Sequence, residues 1–104
     1  MIVGGANSAA MLAINSLVAE KKFVFLLVGP GATQFTNDAC TPYTVQYHYN
    51  TTALANTVSS AVMAQGGKSW FFLTPDYAFG HSLEQEATKV ITENGGTVFP
   101  RQSA

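Results

Sequence analysis

The sequence predicts an α/β fold in which a parallel sheet, or two, is flanked by helices. Three observations carry that expectation. Phe23–Val28 and Trp70–Leu73 are solid apolar runs, and the first shows none of the alternation of a half-exposed strand. Each run stops at a turn, Gly29-Pro30-Gly31 for the first and Pro75 for the second. Segments with helical spacing alternate with the runs, in the order strand, helix, strand, extended segment, helix, strand, helix, strand.

Each element has its own signal. Ile2-Val3 reads as the end of a strand, and Gly4-Gly5-Ala6-Asn7-Ser8 turns into a helix. Asn7 or Ser8 suits the N-cap, because a side-chain oxygen there accepts from a free N–H of the first turn. Ala10, Ala13, Leu17 and Val18 recur at helical spacing and predict one buried stripe. Phe23–Val28 is the buried strand that follows. Ala32–Asp38 is polar and loop-like, with room for one helical turn. Tyr43–Tyr49 alternates, with Tyr43, Val45, Tyr47 and Tyr49 on one side, as in a half-exposed strand. Asn50-Thr51-Thr52 caps a second helix with Leu54, Val58, Ala61 and Val62 as its stripe, closed by Gly66-Gly67. Ser69–Thr74 is the third strand. Asp76–Gly80 is a loop, and a third helix follows on Leu83, Ala87, Val90 and Ile91, with Ser82 and Gln85 placed for a capping box. Thr97-Val98-Phe99 begins a fourth strand, cut short by Pro100.

The totals narrow the function. With 104 residues the chain is about one modest domain in size. Charged side chains make up only 11% against 47% apolar, which points to surface that meets something else. The net charge is −1 and no basic patch is present, so nucleic acid is not the expected partner. The longest apolar run is too short to span a bilayer. Residues 1–16 lack a basic n-region, so no signal peptide is read there. Cys40 stands alone and is expected to be a small half-buried residue. No catalytic constellation or metal-ligand spacing is found: Asp76 and His81 are five apart across a loop–helix junction, and His48 and His81 read as surface or packing residues. No cofactor or metal is expected, and the chain is not expected to be an enzyme.

Binding, in contrast, has a place. Three loops follow strand ends, Gly4–Ser8, Gly29–Thr36 and Pro75–Gly80, where ligands bind in open parallel sheets. The glycines let backbone come close to a ligand. Ser8 and Thr33 add hydroxyls, and a helix start at Ser8 suits a carboxylate or other anion. Tyr77 and Phe79 put aromatic rings after a strand-ending proline. A rival reading is a nucleotide-binding domain of an oxidoreductase, since Val3–Ala10 is similar to a dinucleotide-binding turn. Against it, Ala6 stands where glycine is needed, and no acid ends the next strand. A third reading is a folded fragment without activity.

Four stretches in register carry a resemblance. Ile2–Ser8, Val28–Thr33, Gly67–Leu73 and Asp76–Gly80 occur in the order and spacing of the type I periplasmic solute-binding proteins of ABC transporters, the branched-chain-amino-acid type. The similarity runs over essentially all 104 residues. It implies a two-lobed α/β protein with Rossmann- or flavodoxin-like layers that closes on a small solute and delivers it to an ABC permease. It implies first-lobe ligand contacts at Ser8 with its neighbour Asn7, and at Gly31, Ala32 and Thr33. It implies second-lobe contacts at Phe79 with Tyr77 beside it. Phe79 stands where amino-acid binders often have Tyr, which allows a more apolar carboxylate such as an aromatic acid. The family is much longer, so the chain is expected to be an internal, truncated slice. Residues 1–48 would be part of the first lobe and 49–104 part of the second. A periplasmic or extracellular location is expected for the full-length parent, and a homo-oligomer for a slice with open sheet edges.

Overall fold

The computed structural model describes residues 1–100 and, as backbone, Gln102 and Ser103. It divides into two compact units, Met1–Asn50 and Thr51–Ala104. All strand pairs in both are parallel.

In the first unit, β1 (Ile2–Gly4), β2 (Phe25–Leu27) and β3 (Thr44–Gln46) form a sheet in that order. Helix α1 (Ser8–Lys21) connects β1 to β2, and a 3-10 turn at Thr33–Phe35 lies in the longer connection to β3. Phe25 and Leu27 point to the same side and are fully buried. With Val18, Ala32 and Phe35 they form the core, against which Met11, Leu12, Ile14 and Tyr43 pack. Removing one such large side chain from water contributes about 1.5–3 kcal/mol.

The face of α1 differs from its apolar pattern. Ala10, Ala13 and Leu17 are exposed, and only Val18 of the expected stripe is buried. The buried positions are Ser8, Asn15 and Val18. The helix is apolar nearly all round, so hydrophobicity does not choose a face, and two polar side chains with partners turn inward. Asn15 Nδ2 donates to the Ala39 carbonyl at 2.7 Å, and its Oδ1 accepts from Thr44 Oγ1 at 2.5 Å. This network ties the 36–44 connection to helix and sheet. Asn7 is the N-cap, its side chain accepting from the Ala10 N–H at 3.1 Å. Lys22 ends the helix in the left-handed region at φ 58°, a conformation glycine adopts more easily.

The segment after Tyr43 is also turned. Thr44, Gln46 and His48 are half-buried, while Val45, Tyr47 and Tyr49 are exposed. Val3, Leu26 and Val45 stand in register across the sheet, on the side opposite Phe25 and Leu27. Val3 remains 55% exposed and Val45 50%. Cys40 is exposed rather than half-buried, because its segment is a surface turn.

In the second unit, α2 (Thr51–Ala64) and α3 (Ala78–Glu93) pack on each other and on short strands. The expected strand Ser69–Thr74 splits into β4 (Ser69–Trp70) and β5 (Leu73–Thr74). β4 pairs with β6 (Thr97–Val98), and β5 pairs with β7 (Gln102–Ser103). Residues 71 and 72 separate β4 from β5, and residues 99–101 separate β6 from β7. Pro100 lies in that interval and has no N–H to give the ladder.

Helix α2 faces inward with Thr51, Ala55 and Ser59, not with the larger residues of the predicted stripe. Leu54 is half-buried, while Val58, Ala61 and Val62 are exposed. Small side chains let the two helices approach, with Ala55 in the same core cluster as Ala87 and Ile91. Thr51 Oγ1 and Ser82 Oγ share a buried hydrogen bond of 2.6 Å across that contact. Ser82 is therefore inside α3 rather than a cap, and the helix starts four residues earlier, at Ala78. Ala87, Val90 and Ile91 are buried as their spacing predicts, and Leu83 is half-buried. Both helices end in paired backbone bonds around a glycine of positive φ. Gly67 N–H donates to the Val62 carbonyl and Gly66 N–H to that of Met63. Gly96 N–H donates to the Ile91 carbonyl and Gly95 N–H to that of Thr92.

Candidate functional site

In the first unit, β1 and β2 are neighbours and parallel, so the Gly4–Ser8 and Gly29–Thr33 loops leave the sheet at one edge. They touch through backbone. A Cβ on Gly29 would fall on the Gly5 carbonyl oxygen, and Gly5 itself sits at φ 101°. Only glycine at position 29 allows that approach.

A side chain then joins the loops. Ser8 is 2% exposed, and its Oγ accepts from the Ala32 N–H at 3.3 Å. A hydroxyl that accepts there still has its own hydrogen to donate. Gly31 and Ala32 are buried, and Thr33 is half-buried at the first position of the 3-10 turn. The structure thus brings Ser8, Gly31, Ala32 and Thr33 into one edge region. Asn7 stands next to it, exposed, with its side-chain oxygen engaged by its own helix.

One residue there has no role in the sequence reading. Gln46, at the end of β3, donates from Nε2 to the Pro30 carbonyl at 2.9 Å and to the Ala32 carbonyl at 3.4 Å. Its place on the polar side of the alternating 43–49 segment is the one sequence signal for it. Nearby on the chain, His48 Nδ1–H donates to the Tyr49 carbonyl at 2.6 Å, and its Nε2 is buried without a hydrogen-bond partner.

In the second unit, the loop after β5 is aromatic. Tyr77 is 43% exposed and Phe79 is half-buried. Their rings stack with centroids 6.4 Å apart and planes 18° from parallel. They line a hollow of about 140 Å³ together with Phe72, Pro75 and Leu83. Phe79 and Gly80 belong to the first turn of α3 rather than to a loop. A Cβ on Gly80 would meet the Pro75 carbonyl oxygen, so this glycine lets the loop fold against the helix start. Asp76 and His81, five apart, are bonded: His81 Nε2–H donates to Asp76 Oδ1 at 2.7 Å, at the surface. A second hollow, of about 300 Å³, is lined by Leu54, Val58, Trp70, Phe72 and Leu83 and is almost wholly apolar. Among the described residues, no three His, Cys, Asp or Glu side chains gather to hold a metal ion.

Parallel strands with loops paired at their carboxyl ends make an α/β fold, and the comparisons with known proteins give its family. Residues 1–103 match the periplasmic binding protein family, and the chain belongs to it. A solved periplasmic binding protein from Burkholderia mallei is 53% identical over 98% of this chain, with a TM-score of 0.95. A branched chain amino acid ABC transporter periplasmic ligand-binding protein from Burkholderia xenovorans LB400 is 31% identical over 99% of the chain, with a TM-score of 0.79. A solute binding protein of an ABC transporter from R. palustris, solved in complex with benzoate, is 20% identical over 98%, with a TM-score of 0.90, a likeness of fold alone. The chain spans 27% of the length of the first two and 28% of the third. A search of curated proteins gave no match. The family is one of transporter solute-binding proteins, not of enzymes, and its setting is the periplasm. The dinucleotide-binding alternative gives way to this assignment.

Proposed function

We propose that the chain is part of the extracytoplasmic solute-binding component of an ABC importer and contributes to the site of a small carboxylate, a branched-chain amino acid or an aromatic acid. The observation that carries this reading is the Ser8–Ala32 hydrogen bond at the shared edge of β1 and β2. It supports a wall in which Ser8 and Thr33 hydroxyls meet the carboxylate, with Asn7, Gly31 and Ala32 shaping it. The likeness to the branched chain amino acid ABC transporter protein of Burkholderia xenovorans supports the amino acid. In the second unit, the aromatic hollow at Tyr77 and Phe79 offers apolar surface of the kind that suits a small organic solute. Residues 1–48 belong to the first lobe of the parent protein and 49–104 to the second. An ABC permease is the partner of that parent. The exposed apolar pair Val3 and Val45 supports a homo-oligomer for this chain.

Calorimetric titration with leucine, isoleucine, valine and benzoate tests the site. Ser8→Ala and Thr33→Ala each weaken binding on the order of tenfold, the loss of one hydrogen bond to a charged group. Unchanged affinity in both variants removes these residues from the site. Light scattering on the eluting chain tests the oligomer, and a clean monomer at working concentration rejects it.

A further inference from the structure

We infer that Gln46 is a positioning residue for the Gly29–Thr33 loop, setting the wall that the proposed site uses; the inference therefore rests on that reading for its ligand. Pro30 and Ala32 are both fully buried. Pro30 has no N–H, so its carbonyl is its one backbone polar group, and a buried carbonyl needs a donor. The Gln46 amide supplies one hydrogen to Pro30 and the other to Ala32. The orientation of that amide is fixed by chemistry, because both partners are carbonyls and can only accept. A flipped amide would set its oxygen against two others.

The same loop is held from the opposite end of the sequence. Ala32 gives its N–H to Ser8 Oγ while its carbonyl takes Gln46, so one peptide segment is fastened to α1 and to β3 at once. Gln46 is itself fixed. It pairs in register with Leu27, and the next residue, Tyr47, gives its N–H to the Leu27 carbonyl at 3.0 Å. The ladder that ends β3 thus sets the shape of the loop that ends β2. A site held this way before its ligand arrives has less freedom to lose on binding.

Two variants test it. Gln46→Met keeps the length and removes both donors. Gln46→Glu keeps the shape, but its ionised form sets negative charge against two carbonyls. Nitrogen–proton NMR of the chain reads the amides of Gly31, Ala32 and Thr33 with no ligand added. In Gln46→Met these three amides shift, and the Ala32 amide exchanges on the order of tenfold faster, the opening expected when a hydrogen bond of ordinary strength is lost. Amides of residues 51–93 stay in place. In Gln46→Glu the same displacement is present at neutral pH. It reverts on acidification, because the protonated carboxyl regains one donor; carbonyl neighbours raise its pKa above the ordinary value of about 4.3. Pro30, Ala32 and, through Ala32, Ser8 carry no titrating group. His48, on the same side of the strand, is present in the wild type too, so its contribution is read from the wild-type profile. Unmoved amides at Gly31–Thr33 in both variants overturn the inference.

Titration with leucine and benzoate separates the two ideas. Wild-type binding with on the order of tenfold weaker binding by Gln46→Met supports both. Equal binding by wild type and variant overturns the positioning role. A wild type that binds neither solute overturns the site reading, and the amide profile alone then decides the role of Gln46.

Discussion

The loops that follow β2 and β5 close their strands in opposite ways. Gly29–Thr33 is built from backbone polar groups under cover: Ser8 and Gln46 reach it from two elements, and glycine at position 29 lets it lie on the Gly5 carbonyl. Pro75–Phe79 is built from rings near the surface, stacked on each other, and the tie of Asp76 to His81 is exposed to water. Both use a glycine packed on a carbonyl, Gly29 on Gly5 and Gly80 on Pro75. What differs is what holds the rest. A buried hydrogen bond is lost at the full desolvation penalty of its partner, whereas an exposed ion pair is replaced by water. The first loop is thus specified residue by residue, and the second by shape and apolar area.

Three substitutions break or sharpen that contrast, from the largest effect to the smallest. Gly29→Ala forces a methyl onto the Gly5 carbonyl and lowers stability by about 3 kcal/mol, measured by urea denaturation followed by circular dichroism. A loss under about 1 kcal/mol would show that the two loops part easily, and the first loop would then be no stiffer than the second. Asn15→Leu leaves the Ala39 carbonyl and the Thr44 hydroxyl without their partner and lowers stability by about 2 kcal/mol by the same measurement. Asp76→Asn, at the exposed pair, changes stability by less than about 1 kcal/mol, and the difference shrinks further in added salt. A larger loss there would put the second loop in the same class as the first.

What was legible in the sequence follows the same division. The apolar runs at 23–28 and 70–73 announced strands, but not burial on both sides: Phe25 and Leu27 are buried, while Val24, Val28, Phe71 and Leu73 are exposed. The glycine pairs at 66–67 and 95–96 marked two helix ends, Gly66 and Gly95 through a positive φ that other residues adopt poorly. The buried face of α3 was legible because its other positions include Gln85, Lys89 and Glu93, all exposed. The faces of α1 and α2 were not. Both are apolar nearly all round, and their inward positions include Ser8, Asn15, Thr51 and Ser59. Three of these turn inward to partners 24 to 31 residues away, which no local periodicity shows. The early start of α3 was hidden because Tyr77, its N-cap, makes no side-chain capping bond. The split of Ser69–Thr74 was hidden because it falls inside an unbroken apolar run, Trp70–Leu73. For the candidate site, the loops and their glycines were readable, while Gln46 was not. Its two acceptors come from a loop 14 and 16 residues back, brought to it by strand pairing.

The uncovered side of the first sheet bears on how freely the sequence can drift. Phe25 and Leu27 are wholly shut from water, while Val24 and Val28, which flank the same strand, keep about half of their surface wet. Truncating a core side chain opens a cavity, whereas trimming one that already faces solvent changes little. Consecutive positions of one short stretch therefore carry opposite mutational tolerance, strict at 25 and 27, loose at 24 and 28. For the fold of residues 1–50 alone, the valines at 3, 24, 28 and 45 are open to exchange by threonine.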